Sequence, residues 1–262
     1  MEKKPLLKIV NVSKNYGQVK ALKNINLKIY PSEVVGLIGD NGAGKSTLIK
    51  MIMGDLQRDK GKIFFKDKEV NFSSSAEARA LGIETVPQGS STIEFMDITR
   101  NLFLGKELIK KVGFFELLDK KRMSEESLKV IANLGTTGIR SAWDKVSALS
   151  GGQRQAVSIG RLMYFKSSLA LLDEPTLNLS VRESEKVVSL INNMKKAGTA
   201  VIFVTHNVYH VYPVADRFIL LDRGEMIGIF DKKDVKPEDV IEMIRTGTIK
   251  NKKLCFSKEG VQ

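Results

Sequence analysis

Residues Gly39-Asp-Asn-Gly-Ala-Gly-Lys-Ser-Thr47 fit the spacing G-x-x-x-x-G-K-[ST] from Gly39 to Ser46, a pattern whose chemistry is phosphate binding. Gly39, Gly42 and Gly44, with Asn41 between them, let backbone N–H groups converge on phosphate oxygens, and the helix that follows adds the positive end of its dipole. Lys45 supplies a point charge, the Ser46 hydroxyl can reach Mg²⁺, and Thr47 extends the first turn. A nucleotide is the expected ligand. Further candidates lie along the chain: Tyr16 in a turn, Gln88 in a loop, Leu149-Ser-Gly-Gly-Gln153 ahead of a helix, Asp173-Glu174 at the end of an apolar run, and His206 at the end of another.

Each has a plain reading and a chemical one. A purine can stack on Tyr16, though a tyrosine in a turn is also ordinary packing. Ser150, Gly151 and Gly152 open a helix as an N-cap does, and the same unpaired N–H groups suit an anion. Two adjacent carboxylates are costly to bury without a partner. A strand would aim Asp173 and Glu174 to different sides, one toward Mg²⁺ and the other toward a water. His206 and His210 are spaced i, i+4, but no third ligand supports a metal pair.

The elements that must position these groups are legible from periodicity. Val34–Ile38 reads as a buried strand and Leu48–Met53 as a helix closed by Gly54, which is the strand, loop and helix order the phosphate pattern needs. Residues 6–12 and 25–29 partly alternate as half-buried strands around a turn at Lys14–Gly17. Gly61–Val70 reads as two strands about an Asp67-Lys68 turn, Ser73–Leu81 as a helix, and Ile83–Val86 as a strand broken by Pro87. From about 90 to 165 strand patterns vanish, and 97–111, 114–121 and 124–134 read as helices, followed by Gln155–Phe165. Leu169–Leu172 and Ala200–Val204 are buried strands, with a helix between them that starts at the capping box Ser180-Val-Arg-Glu183 and stops at Gly198. Arg217–Leu221 and Met226–Phe230 flank the hairpin signal Asp222-Arg-Gly224, and Pro237–Arg245 is a last helix.

The expected fold is therefore α/β: a P-loop NTPase core with a β-rich N-terminal subdomain and an inserted α-helical subdomain. One domain spans 1–247, with the helical part at about 90–165, and a basic tail follows from 248. Lys and Arg outnumber Asp and Glu 42 to 30, a net charge of +12. Much of that excess sits in the first thirty residues and in the tail, which fits a solvated lysine surface better than a nucleic-acid groove. Cys255 is the single cysteine, so no intrachain disulfide forms. The start lacks the apolar core of a signal peptide, and no run approaches the roughly 18 apolar residues of a membrane span. A cytosolic chain is expected, meeting a membrane only through a partner or a surface.

Taken in order, Tyr16, Gly39–Thr47, Gln88, Leu149–Gln153, Leu169–Glu174 and His206 resemble the ATP-binding subunit of ABC transporters over roughly residues 6–235. The resemblance implies that Tyr16 stacks on adenine and that Gly39–Thr47 holds the β and γ phosphates of ATP. It implies that Ser46, Gln88 and Asp173 serve Mg²⁺, that Glu174 is the general base, and that His206 contacts the γ-phosphate. Ser150, Gly151, Gly152 and Gln153 would bind ATP held by a second copy of the chain in a head-to-tail dimer. Ser180 departs from the pattern, since most members carry aspartate there. Ile38–Thr47, Gly152-Gln-Arg-Gln-Ala156 and Val181-Arg-Glu-Ser184 are similar to simple-sugar importers. Membrane permease subunits touching Gly89–Leu104, an extracytoplasmic sugar-binding protein, and a peripheral place on the cytoplasmic face of the membrane follow from that likeness. No nucleic acid is expected. A soluble ABC ATPase acting on ribosomes or DNA, a nucleotide sensor, and an importer of a non-sugar substrate remain the alternatives.

Overall fold

Apolar runs without alternation suit strands buried on both faces, and the chain uses them at the centre of a largely parallel sheet. The computed structural model describes residues 4–89, 92–134 and 139–248. In it β3 (Val34–Ile38) and β10 (Ala200–Thr205) are buried at every residue, and β9 (Leu169–Asp173) is buried up to its final aspartate. β10 runs parallel to both, with Thr205 opposite Ile38 and Val204 opposite Asp173, so all three strands end at one edge. The sheet order is β12–β11–β3–β10–β9–β6, where β11 (Arg217–Asp222) and β12 (Glu225–Asp231) form the hairpin expected at Asp222–Gly224 and β6 (Ile83–Val86) closes the far side. The carboxyl edge of such a sheet is where open α/β folds bind ligands.

The chain divides into two compact units. The first, Met1–Thr85, Ser167–Glu174 and Ile191–Gln262, holds this sheet and a four-stranded antiparallel one in the order β2–β1–β4–β5. The latter comprises β1 (Leu7–Tyr16), β2 (Val19–Ile29), β4 (Lys60–Phe65) and β5 (Lys68–Val70). Helix α1 (Lys45–Ile52) turns Leu48, Ile49 and Ile52 into the core cluster that also takes Ile25, Leu171 and Ile202. Each such side chain contributes about 1.5–3 kcal/mol on burial. Helices α2 (Ser75–Ala80), α7 (Val208–Val211) and α8 (Pro237–Thr246) complete this unit. Arg217 donates to Glu33 through Nε at 2.5 Å and Nη2 at 3.1 Å, and this nearly buried fork ties β11 to the turn that launches β3.

The second unit is Val86–Lys166 with Pro175–Leu190. Helices α3 (Ile98–Phe103), α4 (Lys120–Asn133) and α5 (Gly151–Tyr164) pack on one another, and α6 (Val181–Lys196) begins here. Gly160 lets α4 close onto α5, since a Cβ there would lie 2.7 Å from Val130 Cγ1. Phe103 packs edge-on against Tyr164 and Phe165, at 5.1 and 5.9 Å between ring centres.

The structure corrects three local expectations. The helices expected at 97–111 and 114–121 are replaced, beyond α3, by an antiparallel hairpin of β7 (Ile109–Val112) and β8 (Phe115–Leu118). Gly113 turns the chain with φ +60°, Lys111 pairs with Glu116, and every strand residue is exposed, so no buried stripe rewards a helix. β1 continues through Tyr16, with the turn starting at Gly17. The turn placed at Asp67-Lys68 is instead Lys66-Asp67, both with positive φ, which matches the twist of a two-residue hairpin. Ser90 and Ser91 of the loop after Gln88, and the basic tail from 249 on, lie outside the described residues.

Candidate nucleotide-binding site

In the first unit the loop between β3 and α1 wraps a helix N-terminus whose first-turn N–H groups, at Lys45, Ser46 and Thr47, have no intrahelical acceptors. Its shape depends on glycine. A Cβ on Gly39, at φ +156°, would lie 2.2 Å from the Leu221 carbonyl oxygen, and one on Gly44, at φ +104°, 2.7 Å from that of Ala21. Gly224 N donates to Ala43 O at 3.0 Å, so the β11–β12 turn braces the loop from the side. Asn41 and Gly42 are exposed at its tip.

Lys45 is buried and folds back, its Nζ donating to Gly39 O at 2.7 Å and Asp40 O at 2.9 Å. Burial lowers its pKa, while the charges of Glu174, Asp173 and Asp40 pull the other way. Asp173, at the end of β9, is shifted the opposite way: burial raises its pKa first, the neighbouring Glu174 charge adds to this, and Lys45 and Lys50 counter it. An acid pair whose neighbouring Lys45 is spent on carbonyls has room for added positive charge. A hydroxyl at Ser46 with the Asp173 carboxylate is a hard-oxygen donor set, which suits Mg²⁺ holding water and phosphate. Among the described residues no cluster of three or more His, Cys, Asp or Glu could hold a metal without such help.

Glu174 is held at both carboxylate oxygens. Its backbone has φ +49°, and its N–H donates to Val204 O at 2.9 Å. One carboxylate oxygen accepts from Thr205 Oγ1 at 2.8 Å; the other accepts from His206 N at 3.0 Å and lies 2.6 Å from His206 Nδ1. The carboxylate is nearly buried and the imidazole half exposed. Thr205, which no sequence pattern singled out, thus holds one oxygen of Glu174 while His206 holds the other. Tyr16 is 48% exposed, and the β1–β2 hairpin that carries it runs on to Ala21 and Leu22, against Gly44. His210 meets Asn207 Nδ2 at 3.2 Å through Nε2.

In the second unit Ser150 caps α5. Its Oγ accepts from Gln153 N at 3.2 Å, and the Gln153 side chain accepts from Ser150 N at 2.8 Å, a reciprocal capping box. A third partner comes from the start of α6. Glu183 Oε1 accepts from Ser150 Oγ at 3.0 Å and Gly152 N at 3.1 Å, and Oε2 accepts from Ser180 N at 3.0 Å and Ser180 Oγ at 2.9 Å. These bonds, those from Ser180 first, lower its pKa to about 2. The sequence showed the Ser180–Glu183 box; nothing in it signalled the longer reach to Ser150 and Gly152. Gly151 and Gln88 are exposed, the latter in the first loop of this unit.

The first unit therefore assembles Lys45, Asp173, Glu174 and His206 beside the phosphate loop, and the second assembles Ser150, Gly152 and Gln153 around Glu183. Residues 22–177 match the ABC transporter family. The chain is 45% identical to the xylose/arabinose import ATP-binding protein of Sulfolobus acidocaldarius, over 91% of this chain and 93% of that protein. It is 38% identical to the fructose import ATP-binding protein of Rhizobium meliloti, over 92% and 94%. It is 36% identical to a ribose import ATP-binding protein of Clostridium tetani over 93% of this chain and 48% of that longer protein. Among solved structures, a dimeric ATP-binding cassette in a post-hydrolysis state with ADP and Pi superposes with TM-score 0.72 at 26% identity, covering 86% of this chain and 98% of that one. An ABC transporter cassette in its ADP conformation shares the fold, with TM-score 0.78 at 23% identity over 94% and 97%. With the phosphate loop, the signature turn and the acid–histidine pair in one chain, and these matches over most of its length, the chain belongs to the ABC transporter family.

Proposed function

We propose that this chain is the ATP-hydrolysing subunit of an importer for a simple sugar, working as a head-to-tail homodimer under membrane permease subunits. What carries the proposal is the pairing of a fixed acid–histidine arrangement at Glu174 with 45% identity, over nearly the whole chain, to a xylose/arabinose import ATP-binding protein.

In this proposal Tyr16 stacks on the adenine, and Gly39, Asn41, Gly42, Gly44, Lys45, Ser46 and Thr47 cradle the phosphates of ATP. Lys45 leaves its two carbonyls for the β and γ phosphates, which compensate its charge better. Ser46, Gln88 and Asp173 would hold Mg²⁺, which when bound neutralises phosphate charge. Glu174, its orientation fixed by Thr205 and His206, takes a proton from the attacking water, and His206 donates to the γ-phosphate as charge builds. Ser150, Gly151, Gly152 and Gln153 contact the ATP of the other copy.

Among the described residues no helix is long and apolar enough to cross a membrane, so attachment falls to the permeases, at the cytoplasmic face, with a sugar-binding protein delivering substrate outside. Membrane reconstitution of the chain with a simple-sugar permease and its binding protein tests this. Hydrolysis stimulated by sugar-loaded binding protein is the expected result; a rate indifferent to permease and sugar would overturn it.

A further inference from the structure

Two of the hydrogen-bond donors that the composite-site proposal turns toward the other copy's ATP, the Ser150 hydroxyl and the Gly152 N–H, are already in use. The hydroxyl of Ser150 has one proton, and it goes to Glu183 at 3.0 Å while the oxygen's lone pair takes Gln153 N. The N–H of Gly152 goes to the same carboxylate oxygen at 3.1 Å. The carboxylate lies against bare backbone: a Cβ on Gly152 would be 2.6 Å from Glu183 Cγ and 2.7 Å from Oε1. A negatively charged oxygen thus rests at the amino end of α5, bound as an incoming phosphate oxygen would be.

We propose that Glu183 is a resident occupant of the signature turn's anion seat, which the phosphate held by the second chain must displace before the two copies close. The proposal rests on the composite-site reading above and adds its regulation. Two features keep the occupant in place. Ser180 donates to Oε2 from both its N–H and its hydroxyl, whereas an aspartate at that position would offer only the N–H and would set a like charge beside Glu183. The serine at 180 and the capture by Glu183 are on this account one device. The carboxylate, with its pKa lowered to about 2, also stays ionised at any physiological pH, so it leaves by exchange with another anion and not by protonation. When it leaves, the link between the segment following Glu174 and the start of α5 is cut, and closure is reported from one to the other.

The test uses the whole chain carrying Glu174→Gln, a substitution expected to hold ATP unhydrolysed, with dimer formation followed by sedimentation velocity as Mg·ATP is titrated. Glu183→Gln removes the charge. Glu183→Asp keeps charge at the α6 cap but falls one methylene short of Ser150 and Gly152, and covers the case in which the glutamine variant folds poorly. Both are expected to lower the ATP concentration for half-dimerisation at least about threefold, because the competent seat is no longer shared with a competitor. An unchanged or raised midpoint in both, with the Glu174→Gln parent dimerising normally, overturns the role of Glu183. A parent that does not dimerise at any ATP concentration overturns the composite site itself, and this inference with it.

Discussion

Two turns in this molecule present a helix N-terminus to an anion, and they are held in different ways. The loop at Gly39–Thr47 keeps its shape through backbone, with Gly39 and Gly44 closed against carbonyl oxygens and Gly224 bracing Ala43. Its cation, Lys45, is parked on two neutral carbonyls, which a phosphate outbids with charge alone. The turn at Ser150–Gln153 keeps its shape through side chains, and its donors are held by a carboxylate. One turn waits for a ligand and the other already carries a substitute. In the proposed dimer, ATP therefore binds the first turn before the second engages.

Breaking the first region should have the larger effects. Glu174→Gln is expected to lower kcat on the order of 10²–10⁴-fold with ATP binding intact, the share a positioned general base supplies; single-turnover hydrolysis beside nucleotide binding checks it, and a preserved kcat would remove Glu174 from that role. Ser150→Ala, in the second region, should lower kcat/KM about 10–100-fold, as expected for losing one hydrogen bond to a charged group, and leave nucleotide binding to the isolated chain unchanged. Thr205→Val leaves every charge in place but frees one oxygen of Glu174. A kcat reduced about tenfold or less, with KM unchanged, is the expected outcome of losing about 1 kcal/mol of orientation.

The smallest effect concerns stability. The Glu183 carboxyl titrates near 2 instead of 4.5, so its contribution to stability is complete above about pH 4.5 and lost as pH falls through about 2. Melting temperature should fall more steeply in acid for the native chain than for Glu183→Gln. Parallel curves would contradict the bonds at Ser150 and Ser180.

What the sequence disclosed follows from how local the cause is. The phosphate loop, the Ser150 cap and the Ser180–Glu183 box are short-range patterns, and the buried strands β3, β9 and β10 are unbroken apolar runs. Tertiary relations were not legible. Thr205 holding Glu174 spans 31 positions, and Glu183 reaching Ser150 spans 33. The composition of Ile109–Leu118 suggests helix, whereas Gly113 and pairing across the turn make it the β7–β8 hairpin.

In the proposed dimer each catalytic site combines the phosphate loop of one chain with the Ser150–Gln153 turn of another. Mixing two inactive variants, Lys45→Ala and Ser150→Arg, tests it most directly, because random pairing makes half the dimers mixed and gives each mixed dimer one intact site. Recovery of about a quarter of the native ATPase rate per chain is the result expected from that geometry. A mixture as inactive as its components, with mixed dimers shown to form, would contradict it.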